Sequence, residues 1–130
     1  MVLNIQSHVA RFDPTQFAHP FRDVYKRQAL IELGVGNVVI KLGKQGCYIQ
    51  NRQLKQYCPT YNVTPVDTTG AGDNFVAGMI SGILRGKSFP ESIDYANACG
   101  SLNTTQLGAT GAIQSMGQVE AFMQRTKRLL

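Results

Sequence analysis

The sequence is poor in the residues that mark a zinc protein or a disulfide-rich scaffold. Its 130 residues include only 3 cysteines and 2 histidines, and no Cys-x-x-Cys pair occurs. A zinc site needs about four closely organised ligands, so we expect none here. The odd number and wide spacing of the cysteines also give no disulfide framework, which is typical of a reducing compartment.

Long apolar runs and a targeting segment are also missing. The longest apolar stretch is only a few residues, against the roughly 20 that a membrane-spanning helix needs. The N-terminal segment contains polar Asn4, Gln6 and Ser7, and it lacks the basic start and apolar block of a signal peptide. We therefore expect a soluble, cytoplasmic protein with no membrane partner.

Charge is scarce and weakly organised. Charged residues make up 16% of the chain, and basic residues outnumber acidic ones by 13 to 8, a net charge of +5. The basic residues cluster loosely over residues 22–27 and 125–128, whereas nucleic-acid-binding proteins usually carry denser tracts with interleaved aromatics. A solvated basic surface is the preferred interpretation, and we expect no nucleic-acid partner.

The first half of the chain predicts a helix followed by strands. Residues 23–33 have a helical pattern that Gly34 would end. Residues 38–42, 47–50 and 53–58 are predicted strands, separated by turns that contain Gly or Asn. The first of these strands is β-branched and apolar, so we expect it at the sheet centre, paired with the second.

The second half predicts three helices. The first presents Phe75, Met79 and Ile83, spaced by four residues, as one buried stripe. Ser88 and Ser115 each begin a capping-box pattern that opens a further helix. Strands first and helices after predict a layered α/β fold.

The segment that carries chemistry reads Asp-Thr-Thr-Gly-Ala-Gly-Asp-Asn-Phe over residues 67–75. Its glycines lie where a loop becomes a helix, so a ligand's oxygens can approach the N–H groups that a helix start leaves without partners. Asp73 follows in the first helical turn. There it could take a proton from an incoming hydroxyl, while the backbone amides hold the negative charge of a phosphoryl group.

Taken alone, the same residues also fit a tight turn followed by an acid that favours a helix start. Two other phosphate-binding motifs do not fit the segment. A Walker loop would end in Gly-Lys-Ser/Thr where Asp73 and Asn74 stand. A dinucleotide fingerprint would need a small residue in place of Phe75.

Residues 67–75 closely resemble the C-terminal signature of the PfkB/ribokinase family of carbohydrate kinases. Two flanking segments agree with this resemblance. Residues 41–47 resemble the family's nucleotide-side strand and turn, and residues 97–109 resemble its adenine-side helix and the following loop. The resemblance covers residues 29–130 and implies the α/β class, as the C-terminal part of a ribokinase-like three-layer α/β/α fold.

The resemblance implies an enzyme that transfers the γ-phosphate of ATP, bound with Mg²⁺, to a sugar hydroxyl. Asp73 matches the family's catalytic base. Gly70, Ala71 and Gly72 match its anion hole, together with the backbone amide of Asp73. The positions that match nucleotide-binding residues are Lys41, Gly43, Gly46, Asn97 and Gly108. For Asn97 alone, without the match, a polar helix residue that satisfies local hydrogen bonds is the safer interpretation.

Many members of the family bind a monovalent cation, such as K⁺, beside the anion hole. By match, Asp67 and Thr69 would be its ligands, helped by backbone carbonyls within residues 104–108.

The chain is much shorter than full-length members of the family. Residues 1–28 match nothing expected upstream and are interpreted as an atypical lead-in at a chimeric or truncated junction, with the family-like domain over residues 29–130. Most sugar contacts would lie outside this chain, so the sequence does not identify the sugar. A non-catalytic nucleotide- or phosphate-binding fragment stays open as the alternative function, and uncovered apolar surface should make the chain self-associate or form a homo-oligomer.

Overall fold

The computed structural model of the protein describes residues 2–3 and 28–129. The chain divides into two compact units, Met1–Cys58 and Pro59–Leu130. The first unit contains the strands and the second contains the long helices. Among the described residues, no helix has both the length and the apolar character needed to cross a membrane.

The first unit holds a mixed sheet of four strands in the order β1-β2-β3-β4. These strands are β1 Val2–Leu3, β2 Val38–Lys41, β3 Cys47–Gln50 and β4 Lys55–Cys58. β1 runs parallel to β2, and the other neighbouring pairs are antiparallel. The predicted pairing of β2 with β3 is therefore confirmed. β1 was not anticipated, because two residues are too short to show a periodic pattern.

A helical segment over residues 28–32 precedes β2 and ends at Gly34, whose φ of +91° is the left-handed conformation expected of a helix-ending glycine. Residues 23–27 of the predicted helix lie outside the described residues. Ile31 packs with Val38 and Ile40 in the core of this unit. Between β2 and β3 the chain makes a single turn of 3₁₀ helix, Gly43–Gln45.

The second unit contains α1 Ala71–Leu84, α2 Phe89–Asn103 and α3 Met116–Arg125. The predicted capping box at the start of α2 is confirmed, since Ser88 and Glu91 cap each other's backbone N–H groups. At α3 only half of the pattern forms. Ser115 accepts from the Gln118 N–H, but the Gln118 side chain accepts from the Gln114 N–H.

α1 packs on α2 through a face of small and large residues in alternation. The buried positions are Phe75, Gly78, Met79 and Gly82. A Cβ atom at Gly82 would come within 2.9 Å of the Ser92 Cα, so the two helices approach too closely there for any side chain. The prediction that Ile83 belongs to the buried stripe is wrong, because this side chain is 50% exposed. The glycines, which carry no hydrophobic signal, occupy the buried face instead.

α3 and the segment before α1 complete the core of the second unit. Tyr61, Leu102, Val119 and Phe122 are buried there in one cluster. The Tyr61 hydroxyl donates to Asp94 at 3.0 Å, and burial with the Asp94 charge raises the Tyr61 pKa well above its usual value. Leu102 belongs to this cluster, so the core packs against the C-terminal end of α2, where the functional site lies.

Candidate functional site

The centre of the site is a sharp turn at Gly70, immediately before α1. Gly70 has a φ of +74°, a left-handed conformation that favours glycine. A Cβ atom here would lie 2.7 Å from the Ala109 Cβ and 2.9 Å from its Cα. Both the backbone angle and the close approach therefore require glycine, and the turn is pressed directly against the loop that follows α2.

Asn74, in the first turn of α1, ties this turn to that loop. Its side-chain amide donates to the Gly70 carbonyl at 2.9 Å and to the Ala109 carbonyl at 2.8 Å. The Asn74 backbone N–H also donates to the Gly70 carbonyl, which starts the helical hydrogen-bond pattern. One side chain thus joins the Gly70 turn to a backbone segment that lies 35 residues beyond Asn74 in the sequence.

Asp67 organises the other end of the motif. Its carboxylate accepts from the Thr69 hydroxyl at 2.6 Å, from the Thr69 N–H at 2.9 Å and from the Gly108 N–H at 2.9 Å. These donors favour the charged form, so the hydrogen bonds from Thr69 and Gly108 lower the pKa of Asp67 to about 2. Asp67 is therefore ionised throughout the physiological range and draws the 108 loop towards the motif.

The C-terminal end of α2 holds the backbone between these two points. The Thr104 carbonyl accepts from the Val66 and Asp67 N–H groups at 2.7 and 3.1 Å. The Asn103 side-chain amide donates to the Thr69 carbonyl at 2.8 Å. Asn103 is fully buried, and its Oδ1 has no hydrogen-bond donor within the part of the chain that the structure describes. Buried oxygens of this kind are usually satisfied by a bound water or ion.

Asp73 lies in the first turn of α1 and is exposed to solvent. It shares the helix start with the amides of Ala71 and Gly72, where the positive end of the helix dipole attracts negative groups. The Ala71 N–H donates to the Thr68 carbonyl at 3.2 Å, so it already has an acceptor in this structure. This helix start combines a carboxylate with donors that suit an anion.

The structure brings together seven of the residues predicted to form the site. They are Asp67, Thr69, Gly70, Ala71, Gly72, Asp73 and Gly108, all within the motif and the loop after α2. Asn97 belongs to the same unit but is buried within α2, where its amide donates to the Pro59 carbonyl at 3.4 Å.

The remaining predicted residues belong to the first unit. Lys41 ends β2, and Gly43 and Gly46 flank the 3₁₀ turn with φ values of +60° and +100°. The Leu42 N–H donates to the Gly46 carbonyl at 2.8 Å, which closes this turn into a tight loop between β2 and β3. The two glycines are required by the backbone conformation of the turn itself.

Comparison with known proteins identifies the class to which this fold and motif belong. Residues 20–116 match the pfkB family carbohydrate kinases, so the chain belongs to that family. It is 35% identical over 95 residues to fructokinase-1 of Zea mays, covering 68% of this chain and 29% of that protein. It is 32% identical over 90 residues to a ribokinase of Staphylococcus aureus, covering 68% of this chain and 30% of the relative.

Solved structures show the same relationship. The ribokinase of Thermotoga maritima superposes with a TM-score of 0.79 at 31% identity, covering 95% of this chain and 41% of that one. An aminoimidazole riboside kinase of Salmonella enterica, complexed with its riboside and an ATP analogue, superposes at 0.74 with 29% identity over 94% of this chain and 41% of its own. A fructokinase double mutant of Vibrio cholerae, bound to fructose, ADP and potassium, superposes at 0.70 with 30% identity over 77% of this chain and 34% of its own.

The expected α/β class and ribokinase-like fold are thereby confirmed. The chain spans about a third of the length of the curated relatives it matches.

Two functional positions were missed by reasoning from the sequence. Asn74 was noted only because it excludes a Walker loop, and Asn103 was not noted at all. An Asn directly after the Gly-Ala-Gly-Asp run could have suggested a residue that caps the preceding turn, since Asn side chains often bind nearby backbone. Nothing in the sequence around Asn103 distinguishes it from an ordinary polar residue at a helix end.

Proposed function

We propose that this chain forms the phosphate-binding and catalytic end of an ATP-dependent sugar kinase. The observation that carries the proposal is the Gly70 turn, which is held by Asn74 against the Ala109 loop and places Asp73 at the start of α1. A catalytic acid or base at a helix N-terminus, beside amides that attract anions, suits phosphoryl transfer. The family membership supports the same reaction class.

In the proposed mechanism Asp73 takes the proton from the sugar hydroxyl as that oxygen attacks phosphorus. The amides of Gly72 and Asp73 stabilise the negative charge on the transferred group. The Ala71 amide joins them only if it gives up its bond to the Thr68 carbonyl. ATP, bound with Mg²⁺, supplies the phosphoryl group.

Nucleotide binding is proposed for Lys41, Gly43, Gly46, Asn97 and Gly108. The two glycines of the 43–46 turn expose backbone without a Cβ, which permits close approach of a ligand. Gly108 is held by Asp67 next to the motif. Asn97 is buried and hydrogen-bonded to the Pro59 carbonyl. Its contribution would therefore be to hold the backbone beside the adenine of ATP rather than to bind the adenine itself.

A monovalent cation such as K⁺ is proposed beside the motif, with Asp67 and Thr69 among its ligands. The Thr69 hydroxyl donates its proton to Asp67 and keeps its oxygen lone pairs available. The Thr104 carbonyl already accepts two N–H groups, so carbonyls from residues 105–108 are the better candidates for the remaining ligands. The fixed negative charge of Asp67 and the orphaned Asn103 oxygen both fit a cation here.

The activity is proposed for the complete kinase domain rather than for this chain alone. The chain spans 29% of the maize fructokinase and 30% of the staphylococcal ribokinase. Positioning of the hydroxyl and exclusion of water supply much of the rate in phosphoryl transfer. We therefore expect weak nucleotide binding by the isolated chain and no sugar phosphorylation, which is the behaviour of the non-catalytic alternative.

The test compares the chain alone with a chimaera in which the matching portion of the Thermotoga maritima ribokinase is replaced by residues 29–130. Sugar-dependent ADP release should be seen only for the chimaera, with ribose and fructose as substrates. Asp73→Asn should lower its turnover at least about 100-fold, because a general base contributes roughly 10²–10⁴-fold.

Nucleotide affinity in the chimaera should change little with Asp73→Asn, because the Gly70 turn stays intact. Glu32→Gln, which removes an exposed acid from the other unit, serves as the matched control and should leave turnover unchanged. An Asp73→Asn enzyme that keeps full turnover but no longer binds ATP would reverse the assigned roles. Sugar phosphorylation by the isolated chain would show that the chain is sufficient for catalysis.

A further inference from the structure

Two cysteines face each other across the β3–β4 hairpin. Cys47 and Cys58 are directly opposite partners in the antiparallel register. Directly opposite residues project their side chains from the same face of a sheet. Cys47 is 0% exposed and Cys58 is 6% exposed, and both are present as thiols.

We propose that Cys47 and Cys58 form a reversible disulfide, a modification site that clamps β4 onto β3. The pair is not part of the proposed catalytic site, and this inference does not depend on the proposed function. The hairpin register and the adjoining turn support it.

The hydrogen-bond pattern shows which kind of cross-strand pair the cysteines form. The Asn51 N–H donates to the Leu54 carbonyl at 2.9 Å, which is the innermost hydrogen-bonded pair of the hairpin. Such pairs recur at every second position, so Cys47 and Cys58 also form a hydrogen-bonded pair. Cα atoms in these pairs are about 5.5 Å apart, which lies inside the range of about 4.4–6.8 Å for disulfides.

The same geometry makes the bond easy to reduce. The Cβ atoms of directly opposite residues are about 4.5–5.5 Å apart, and hydrogen-bonded pairs are the wider ones, against about 3.8 Å in a relaxed disulfide. Closing the bond must therefore draw the strands together and strain the hairpin. Strained disulfides have more oxidising potentials and are the labile, regulatory kind. A reducing environment would return both residues to thiols.

The oxidant that we name is a hydroperoxide, with hydrogen peroxide as the probe. The Cys58 thiolate attacks one peroxide oxygen, which breaks the O–O bond, forms a sulfenic acid and releases water after protonation. The Cys47 sulfur then attacks the sulfenic sulfur, the S–S bond forms, and the hydroxyl leaves as water. Two thiols and one peroxide thus give one disulfide and two waters. Cys58 reacts first because it is the more exposed of the two and lies on β4, the edge strand of the sheet that the structure describes.

The disulfide would also restrict the 43–46 turn, which adjoins the hairpin. Cys47 directly follows Gly46, the last residue of the 43–46 turn. The hydroxyl of Tyr57, the residue before Cys58, donates to the Gln45 carbonyl in that turn. The Tyr57 ring also packs against Tyr48 in a tilted arrangement, with centroids 5.1 Å apart. A bond between Cys47 and Cys58 would therefore restrict both the hairpin and the turn.

The test treats the full chain with hydrogen peroxide and counts its thiols after denaturation. The count should fall from 3 to 1, and trypsin should release residues 45–52 linked to residues 56–85, because Arg52 and Lys55 separate the two cysteines. Dithiothreitol should restore all the thiols. Cys99→Ser should leave the link intact. Cys58→Ser should abolish it.

Cys99 provides an internal comparison. It belongs to the second unit, and burial raises its thiol pKa to about 11, so it should stay reduced in the folded chain. In the native chain the Cys47–Cys58 link should be the main product, whereas in urea links of either residue to Cys99 should appear beside it, because the register raises the effective concentration of one thiol at the other. This comparison needs no substitution and stands even where Cys58→Ser does not fold.

The same mixture of cysteine pairings in the native chain and in urea would overturn the proposal. So would disulfide-linked dimers through Cys99, or oxidation of Cys58 to sulfinic acid without pairing.

Discussion

Asp67 connects the folded state to pH through three hydrogen bonds, two from Thr69 and one from the Gly108 N–H in the loop after α2. Donation by Thr69 and Gly108 lowers its pKa from 3.8 to about 2. A carboxylate with a lower pKa in the folded chain adds stability above the unfolded value and loses it as the pH falls through the folded value. The contribution should therefore be complete above about pH 4 and should vanish towards pH 2.

The substitution Asp67→Asn tests this dependence. The wild-type chain should have the larger free energy of unfolding at pH 7, and its advantage over the variant should close between about pH 4 and pH 2. Urea titrations followed by circular dichroism at several pH values measure the difference. Asp73→Asn removes the same charge from an exposed position and is the matched control. A difference between wild type and Asp67→Asn that stays constant across this pH range would contradict the assignment.

The residue scale also shows what the sequence could and could not predict. The order Gly-Ala-Gly-Asp was enough to predict a glycine turn before a helix with Asp73 in its first turn, because helix starts have strong local rules. The contacts of Asn74 and Asn103 could not be predicted in the same way. Asn74 reaches Ala109 across 35 residues, and such a partner is decided by tertiary packing rather than by local sequence.

At the scale of elements, the contact between α1 and α2 depends on small residues rather than on large apolar ones. Ideal Cβ atoms at Gly78 and Gly82 would lie 2.8 Å from the Cys99 Sγ and 2.9 Å from the Ser92 Cα. The second obstacle is backbone, which cannot rotate away. Glycine inside a helix normally lowers stability relative to alanine, so its presence here reflects the close helix approach.

Alanine substitution at two glycines should therefore have opposite effects. Gly82→Ala should destabilise the chain by about 1–3 kcal/mol, since overpacking forces the helices apart. Gly117→Ala, near the exposed start of α3 with nothing closer than 4.0 Å to its new Cβ, should stabilise it by up to about 1 kcal/mol. Urea unfolding of both variants checks the prediction. Gly82→Ala at least as stable as wild type would show that the helices can separate without cost.

The strands were predicted more accurately than the helix faces. Residues 47–50 were predicted correctly, and the predicted strand 38–42 differs from β2 by one residue. The β-branched run at 38–40 and the turn residues that bound both segments are strong local signals. Helix faces were harder. Counting apolar residues at intervals of four selected Ile83, but after two such steps the helix has rotated by about 80° from Phe75. The buried face follows Phe75, Gly78, Met79 and Gly82.

At the scale of the whole molecule, the outward face of α1 is apolar. Ile80, Ile83 and Leu84 are 48%, 50% and 81% exposed. Contiguous apolar surface of this kind commonly marks an interaction site. It also fits the expectation that a chain spanning a third of its relatives' length will associate with another copy.

The variant Ile83→Lys tests this expectation. Light scattering over a concentration series should give a wild-type mass above that of the monomer, and the variant should shift the mass towards the monomer because a charge on this face must be desolvated on association. Leu107→Lys makes the same change at an exposed leucine in the loop after α2, outside the apolar face formed by Ile80, Ile83 and Leu84, and should leave the mass as in wild type. A wild-type chain that stays monomeric at every concentration would contradict the prediction.

The double contact of Asn74 limits how far residues 67–75 can be treated as a movable unit. The Gly70 turn is shaped from outside the motif, since Ala109 presses on its open side and accepts from the same amide that holds Gly70. Grafting only these residues onto another helix would transfer the sequence of the motif without the contacts that fix its conformation. The smallest transplantable piece is therefore the motif together with the end of α2 and the loop through Ala109.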